Sequence, residues 1–289
     1  MPPDAIALAL TAAVLHAGWN LIAKASRDGP RFYWLAALAT AVIYAPAFAV
    51  AVSVHGIPAS GLGWIVASAA VNAVYFVALS QAYARAGISV AYPISRGIGP
   101  VVVLLVTVGV LGESVTWAGA LGVLIVVMGI YGVRLSSWRR AAWMEPLRGL
   151  TGAGGRYAVL TGLLIAAYTL IDRQGVREVH PTVFVYLEFT LGGLLLTPFV
   201  RPWQTLRSAV QSRDRAWRAI AVGVVWVAAY FLVLLAFQRA PLAYVAATRE
   251  ISIVLATALG ALVLREHVTR SQFVAAIAIT AGVVLIAVA

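Results

Sequence analysis

Ten stretches of about twenty mostly apolar residues limit what this 289-residue chain can fold into. A helix that crosses a bilayer needs roughly 20 such residues, whereas the strands of a membrane barrel would alternate apolar and polar side chains, which these stretches do not. With 62% hydrophobic and only 11% charged residues, the chain has more apolar surface than a soluble fold can bury. We therefore predict an all-α integral membrane protein with ten transmembrane helices at about 5–24, 32–53, 62–83, 89–110, 116–134, 157–173, 181–200, 217–238, 242–263 and 270–288.

The fourth and ninth stretches repeat one pattern. The fourth contains Arg96 and leads to Glu113, the ninth contains Arg249 and leads to Glu266, and each equivalent pair is 153 residues apart. This spacing indicates an internal duplication into halves of five helices. Because five is odd, two like halves must insert in opposite orientations. The sequence predicts two inverted five-helix repeats, at 1–140 and 156–289, with a linker at 141–155.

The basic residues are unevenly divided between the two sides of this arrangement. Sixteen of the 21 Lys and Arg residues fall in the connections after the odd-numbered helices, and the opposite side holds only Arg173, Arg177 and Arg239. Cytoplasmic loops are enriched in Lys and Arg. We therefore predict that both termini lie outside the cytoplasm. The net charge of +11 is then a property of cytoplasmic loops and not a sign of nucleic-acid binding.

Arg96 and Arg249 are the first candidates for substrate binding. A charged side chain within a membrane segment is costly and usually faces a partner or a water-filled cavity. The repeat axis would bring both arginines towards a common centre, where guanidinium groups could bind a carboxylate or phosphate. The alternative is a structural ion pair of each arginine with Glu188, Glu250 or helix-end carbonyls.

Backbone breaks are predicted around the first of these arginines. A proline removes one helical hydrogen bond and collides with the preceding turn, and glycine loosens a helix further. We expect the helix to be interrupted at Pro93 and to bend again near Gly97, Gly99 and Pro100, which are candidate hinge residues. Pro and Gly are also common in membrane helices without a special role.

Three residues are candidates for proton coupling. Glu188 lies mid-helix with no basic neighbour in sequence, so it can exchange a proton or remain a neutral acid bonded to another helix. His16 titrates near neutral pH when unperturbed. Glu250 follows Arg249 directly and is a candidate for coupling or for pairing with an arginine. Transport without any proton remains an alternative.

Polar and aromatic side chains recur at helical spacing on the first, third, sixth and eighth segments. Residues at i,i+3 or i,i+4 share one face of a helix. Similar stripes at corresponding places in both halves suggest a lined cavity, although a single such pair is more often a helix–helix contact. The pairs are His16 with Asn20, Asn72 with Tyr75, Tyr168 with Asp172, and Trp226 with Tyr230, and Tyr92 is a further candidate for substrate binding.

Enzymatic chemistry is not indicated. The chain has no cysteine, its four histidines lack metal-ligand spacing, and no glycine-rich loop joins a strand to a helix. We expect no catalytic residue, no metal and no cofactor. Glu113 and Glu266 are interpreted as structural charges at membrane-surface turns, and Ser114, Thr116 and Thr269 as helix N-caps.

Several passages resemble the drug/metabolite transporter superfamily, specifically its bacterial exporters with two EamA-type domains. They are YPISRGIGP…LGESVTWAGALGVLIVVMGI, TREISIVLATALG…LREHVTRSQFVAAIAITAGVVLI and the opening LHAGWNLIAK. The second passage has Arg265 where the family pattern has Gly, and His16 and Asn20 stand where small multidrug relatives have a coupling glutamate. The resemblance spans the chain and implies a ten-helix secondary transporter of the bacterial inner membrane.

Together these features predict a monomeric exporter of amino acids, with apolar or aromatic side chains, or of related small metabolites, working by alternating access. Organic anions such as phosphonates or phosphate esters are the alternative substrates. A non-transporting membrane scaffold and a channel are the alternatives of other classes. The expected partners are the substrate and the bilayer, with a proton as a candidate coupling ion.

Overall fold

The computed structural model describes residues 1–24, 29–133, 135, 143–144, 151–263, 265 and 267–289. Glu266 and much of the predicted linker lie outside these residues. The described helices are α1 (Pro3–Lys24), α2 (Pro30–Ile43), α3 (Ala45–His55), α4 (Ala59–Gly109), α5 (Trp117–Gly132), α6 (Ala153–Glu178), α7 (Pro181–Leu195), α8 (Pro202–Gln211), α9 (Arg213–Phe237), α10 (Leu242–Thr248), α11 (Ile251–Val263) and α12 (Arg270–Val288).

These helices form the ten predicted spans. Eight segments are long and apolar enough to cross a bilayer alone, including two arms of α4, Ala59–Ala86 and Val90–Gly109. The pair α2 and α3 makes one span bent by 57°, and the shorter apolar helix α5 completes the set. The predicted all-α, ten-helix membrane fold is confirmed.

The two arms of α4 run in opposite directions past α6, although the backbone between them stays in a helical conformation. The first arm is antiparallel to α6, since residues early in one contact residues late in the other. The second arm is parallel to α6. The contacts that establish this are Ala86 with Gly154, Ser68 with Asp172, Ile98 with Gly162, and Glu113 with Arg173.

The packing of the spans follows the repeat. The first arm of α4 packs on α6, and α1 packs antiparallel on α9, with Asp4 paired to Arg239 at one end and Trp19 near Trp226 further along. Because α1 corresponds to α6 and the first arm of α4 corresponds to α9, these are equivalent contacts of a first span with the third span of the other repeat. The fifth and tenth spans, α5 and α12, pack on each other. This arrangement interleaves the two repeats around one centre.

The α5–α12 contact depends on glycine. A Cβ built on Gly122 would lie 2.8 Å from the carbonyl oxygen of Gly282, and one built on Gly282 would lie 2.7 Å from that of Gly122. Without a hydrophobic force between helices in lipid, small residues that permit close backbone approach stabilise such contacts.

The predicted helix interruption at Pro93 is wrong. α4 continues through Pro93 and Pro100 in the helical conformation, although each proline deprives one carbonyl of its backbone donor. Neighbouring helices hold the segment, and Gly99 lets Ile165 of α6 approach so closely that a Cβ would lie 2.8 Å from it. A proline inside a packed membrane helix need not break it.

The equivalent span of the second repeat breaks instead, without a proline. α10 ends at Thr248 and α11 begins at Ile251, so Arg249 and Glu250 occupy the break. At the break the backbone hydrogen bonds span three residues, as in a 3₁₀ turn. The Glu250 N–H donates to the carbonyl of Ala247 and the Ser252 N–H donates to the carbonyl of Arg249, both at 3.1 Å. Of the predicted caps, Thr116 accepts from Gly119 and Thr269 forms a capping box with Gln272.

Candidate functional site

A cavity of about 460 Å³ lies between the two repeats. Every residue predicted from the sequence to bind substrate or to exchange a proton lies on its wall. These residues are His16, Asn20, Asn72, Tyr75, Tyr92, Arg96, Tyr168, Glu188, Trp226, Tyr230, Arg249 and Glu250. The roles of these residues remain predictions, whereas their convergence on one cavity is a structural fact.

The cavity extends towards one face of the protein only. Its lining reaches Gly260, His267 and Gln272, which lie at the end of the molecule where the arginine-rich connections are. In the other direction the described lining stops mid-helix, at Ala12 and Val233. The structure therefore has a cavity that faces the basic side and is closed towards the two termini.

Contacts between the repeats close the terminal side. Glu113 accepts a hydrogen bond from the backbone N–H of Leu242 at 2.9 Å and lies 3.5 Å from Arg173. The Tyr244 hydroxyl accepts from the backbone N–H of Thr116 at 3.0 Å. The loop after α4 is thereby attached to the first turn of α10. Glu113, predicted as a structural charge at a surface turn, joins the two halves.

Two carboxyl groups belong to one hydrogen-bonded network beside the cavity. Asp172, fully buried, accepts from the Ser68 hydroxyl and the Tyr230 hydroxyl. The Asn72 amide donates to Ser68 and, at 2.7 Å, to Oε1 of Glu188. The other oxygen of Glu188 is buried and has no hydrogen-bond partner among the described residues. Such an oxygen is costly to leave unpaired, which makes it a candidate to bind a proton or a cationic ligand.

Arg96 is neutralised within the protein. Its guanidinium lies 3.5 Å from Glu250 Oε1 and 3.3 Å from His16 Nε2. The second oxygen of Glu250 is buried and makes no hydrogen bond in the described part of the chain. The structural alternative considered for this arginine, an ion pair with Glu250, is therefore present. The arginine nevertheless remains on the cavity wall.

Arg249 has a different environment. Its guanidinium carbon lies 5.4 Å from the centre of the Tyr230 ring, within the range of a cation–π interaction. No ion pair or hydrogen bond of its side chain occurs among the residues that the structure describes. A half-buried guanidinium that lies next to a cavity and against an aromatic face can bind an anionic group of a ligand.

Aromatic rings form the wall at the basic side of Glu188. Trp226 is central to them, with its ring 4.4 Å from that of Phe189, 5.6 Å from Phe76 and 5.8 Å from both Trp19 and Tyr33. Three further rings form a row on the wall, in which Tyr168 contacts Tyr75 on one side and Tyr230 on the other. The cavity thus combines an apolar aromatic surface with a few charged groups, as small-molecule sites generally do.

The candidate hinge residues are not among those that line this cavity. Gly97 faces Val127 and Gly99 faces Ile165, so they serve the packing of α4 against its neighbours. Whether they act as hinges remains a prediction. Sequence reasoning omitted four residues of the site and its network: Ser68, Tyr33, Phe76 and Phe189. These four resemble ordinary membrane-helix residues. Asp172, predicted from the sequence as the partner of Tyr168 on one helical face, belongs to the network beside the cavity.

The fold and the cavity define a membrane transporter built from two interleaved repeats. The sequence profile of the EamA-like transporter family matches residues 4–135 and 153–288, which is most of the chain. The chain belongs to the EamA-like transporter family of the drug/metabolite transporter superfamily, a family of transporters and not of enzymes. In the described ranges no three His, Asp or Glu side chains cluster as metal ligands would.

Comparison with solved structures supports the same fold. A crystal structure described only as that of a protein aligns with a TM-score of 0.72 over 100% of this chain and 99% of the other, at 17% sequence identity. At this identity the likeness concerns the fold alone. A search of curated protein sequences finds no match.

Proposed function

We propose that this transporter carries zwitterionic amino acids with apolar or aromatic side chains, or closely related metabolites, by alternating access. The observation that supports this most is the pairing of opposite charges across one cavity. Arg249 lacks an ion-pair partner among the described residues, while Glu188 and Glu250 each have an unpaired buried oxygen there. A ligand with one carboxylate and one ammonium group would satisfy both kinds of group.

In this proposal Arg249 binds the substrate carboxylate and Glu188 accepts from the ammonium group. The aromatic wall around Trp226 then receives the side chain, since an aromatic ring gains from edge-to-face contacts beyond its buried area. Arg96 contributes to the potential of the cavity but is already paired with Glu250. The repeat symmetry suggested that both arginines bind the substrate anion, whereas in this proposal Arg249 binds it and Arg96 does not.

Organic anions are the second candidate, supported by the presence of two guanidinium groups on one wall. Three carboxyl groups in or beside that wall disfavour a ligand with several negative charges, because like charges in a poorly solvated site repel strongly. A phosphonate or phosphate ester would have to compete with Glu250 for Arg96. We therefore place zwitterions first.

Proton coupling through Glu188 is part of the proposal. A neutral, protonated Glu188 removes the cost of an unpaired buried charge when no substrate is bound. His16, next to Arg96, and Glu250 are the other candidates. Glu188→Gln keeps an acceptor oxygen for the ammonium group but loses the charge. Transport by this variant should therefore still run down a substrate gradient, with weaker substrate binding, and should no longer respond to a pH gradient. Transport by the variant that still follows pH would remove Glu188 from coupling.

The direction and location of transport are also proposals. Placing the basic connections in the cytoplasm puts the termini outside and makes the cavity face inward, as an exporter of the bacterial inner membrane must do to load substrate. The closed terminal side, with Glu113 between Leu242 and Arg173, would then be the outer barrier.

Counterflow into proteoliposomes tests the substrate. Vesicles loaded with an unlabelled amino acid should accumulate the labelled form, which a channel would not do. Phenylalanine should compete with the labelled substrate. Its decarboxylated amine lacks the carboxylate, its deaminated acid lacks the ammonium group, and phenylphosphonate lacks the ammonium group and can carry more than one negative charge. Each of these three should therefore compete at least tenfold less well. Equal competition by phenylphosphonate would favour the organic-anion alternative, and absence of exchange would contradict amino-acid transport.

A further inference from the structure

The short helix α8 joins two spans at the arginine-rich end of the molecule, and its side chains divide into three faces. At 3.6 residues per turn, Thr205, Leu206 and Ala209 lie on one side of the helix. Thr205 is buried, and Leu206 and Ala209 pack against the protein's second apolar cluster. This face fixes how the helix is rotated about its axis.

The second face is apolar and uncovered. Trp203 and Val210 are 83% and 87% exposed, and they lie seven residues apart, on one side of the helix. Arg207, at i+4 from Trp203, borders the same face and is exposed. The third face is polar and contains Gln204, Ser208 and Gln211. Exposing a tryptophan and a valine together to water does not stabilise a helix. At a lipid surface the same two side chains stabilise it, because they are buried among acyl chains.

The position of α8 agrees with such a surface. The preceding span ends at Phe199, which is 61% exposed, and the next begins at Arg213, followed by the exposed Trp217. Since one span ends and the next begins here, we expect α8 at the depth where acyl chains meet headgroups. Aromatic side chains at this depth are typical of the membrane interface.

We propose that α8 is an interfacial helix that inserts Trp203 and Val210 among the acyl chains and binds the phosphate of an anionic phospholipid through Arg207. Exposed Arg213 adds to the attraction. Arg218 serves a different purpose, because it pairs with Asp214 at 3.0 Å. Arginine can extend its aliphatic stem along apolar surface while its charge remains with the headgroups. This surface is separate from the cavity and does not depend on the identity of the substrate.

The absence of cysteine from the chain makes the depth of each face measurable. Val210→Cys and the matched control Gln204→Cys are labelled with a nitroxide and reconstituted into vesicles of phosphatidylcholine with phosphatidylglycerol. The label at 210 should collide with dissolved oxygen and be shielded from a water-soluble nickel complex, and the label at 204 should show the reverse. Equal access of nickel to both labels would overturn insertion of α8.

Native mass spectrometry tests which headgroup α8 binds, because it identifies the lipids that stay bound to the protein. The wild-type protein should retain phosphatidylglycerol in preference to phosphatidylcholine. Arg207→Gln should lower that retention about fivefold, the effect expected for one arginine near an anionic surface, while Arg218→Gln should not. Equal retention of both lipids, or equal losses in both variants, would overturn the assignment of Arg207 to an anionic headgroup.

Discussion

The two spans that contain the repeated arginines began as one sequence pattern, yet they hold those arginines differently. The second arm of α4 passes through two prolines without a break, and its Arg96 lies 3.5 Å from Glu250 in the other repeat. The ninth span has no proline but breaks at Arg249, which has no ion-pair partner in the described structure. Duplication thus produced two half-buried cations on one cavity wall, of which Arg96 is paired with a carboxylate and Arg249 has no such partner among the described residues. Corresponding residues of a repeat therefore need not have the same role.

The largest expected effect that tests this difference is on ligand binding. Arg249→Ala should weaken binding of a neutral aromatic amino acid by two to three powers of ten, since an unmatched charge in a buried site costs ~3–5 kcal/mol. Arg249→Lys should restore little, because an ammonium cannot make a two-pronged contact. Calorimetric titration of purified protein measures both. Unaltered affinity would show that Arg249 and Arg96 do not divide their roles as proposed.

Arg96→Ala should instead lower stability without ligand. It leaves the mostly buried carboxylate of Glu250 uncompensated, and we expect a loss of about 3 kcal/mol, at the lower end for buried pairs because the contact is long. Thermal unfolding in detergent measures this effect. The double variant with Glu250→Gln should recover most of the loss. A double variant as unstable as Arg96→Ala would mean that the pair makes no net contribution.

A smaller effect is expected where α10 is attached to the first repeat. Glu113→Ala removes the acceptor of the Leu242 N–H and the partner of Arg173, and should destabilise the protein by about 1–2 kcal/mol. Glu178→Ala is the matched control, because Glu178 is exposed and bonds only Ser60 among the described residues. Equal unfolding temperatures for the two variants would deny Glu113 this role.

The smallest expected effect concerns His180, which precedes the second span of the second repeat. The corresponding position in the first repeat is Gly29, which does not titrate. Burial and the stacked ring of His55, 3.9 Å away, lower the pKa of His180 below 6.5. The unfolded chain therefore binds a proton at a higher pH than the folded one, and stability should fall as pH drops through and below 6.5. His180→Gln should flatten this dependence slightly, as unfolding temperatures across that range would reveal. A steeper dependence in the variant would be the opposite of this expectation.

The fold was predictable from sequence because lipid leaves a chain few choices. Backbone groups in a bilayer must be satisfied within the helix, so length and apolarity identify each span. The continuity of α4 at Pro93 was not predictable, because the effect of a proline depends on the helices packed around it. The break at Arg249 has no local sequence signal either.

The cavity wall was largely predictable, whereas its internal pairing was not. Helical spacing identified polar stripes such as His16 with Asn20, and the repeat indicated that they converge. Which carboxylate meets which cation depends on the approach of helices far apart in sequence. Arg96 and Glu250 are 154 residues apart, and the buried partners Ser68 and Asp172 are 104 apart. Only the three-dimensional structure brings such pairs together.

The most direct test of the central claim, that Arg249 and not Arg96 binds the substrate carboxylate, compares phenylalanine with phenylalaninamide. Removing the carboxylate charge should weaken binding to the wild type at least a hundredfold, in keeping with the ~3–5 kcal/mol expected for a buried charge pair. In Arg249→Ala the two ligands should bind with similar affinity, while Arg96→Ala should keep the wild-type preference. Loss of the preference in Arg96→Ala, with its retention in Arg249→Ala, would contradict the account.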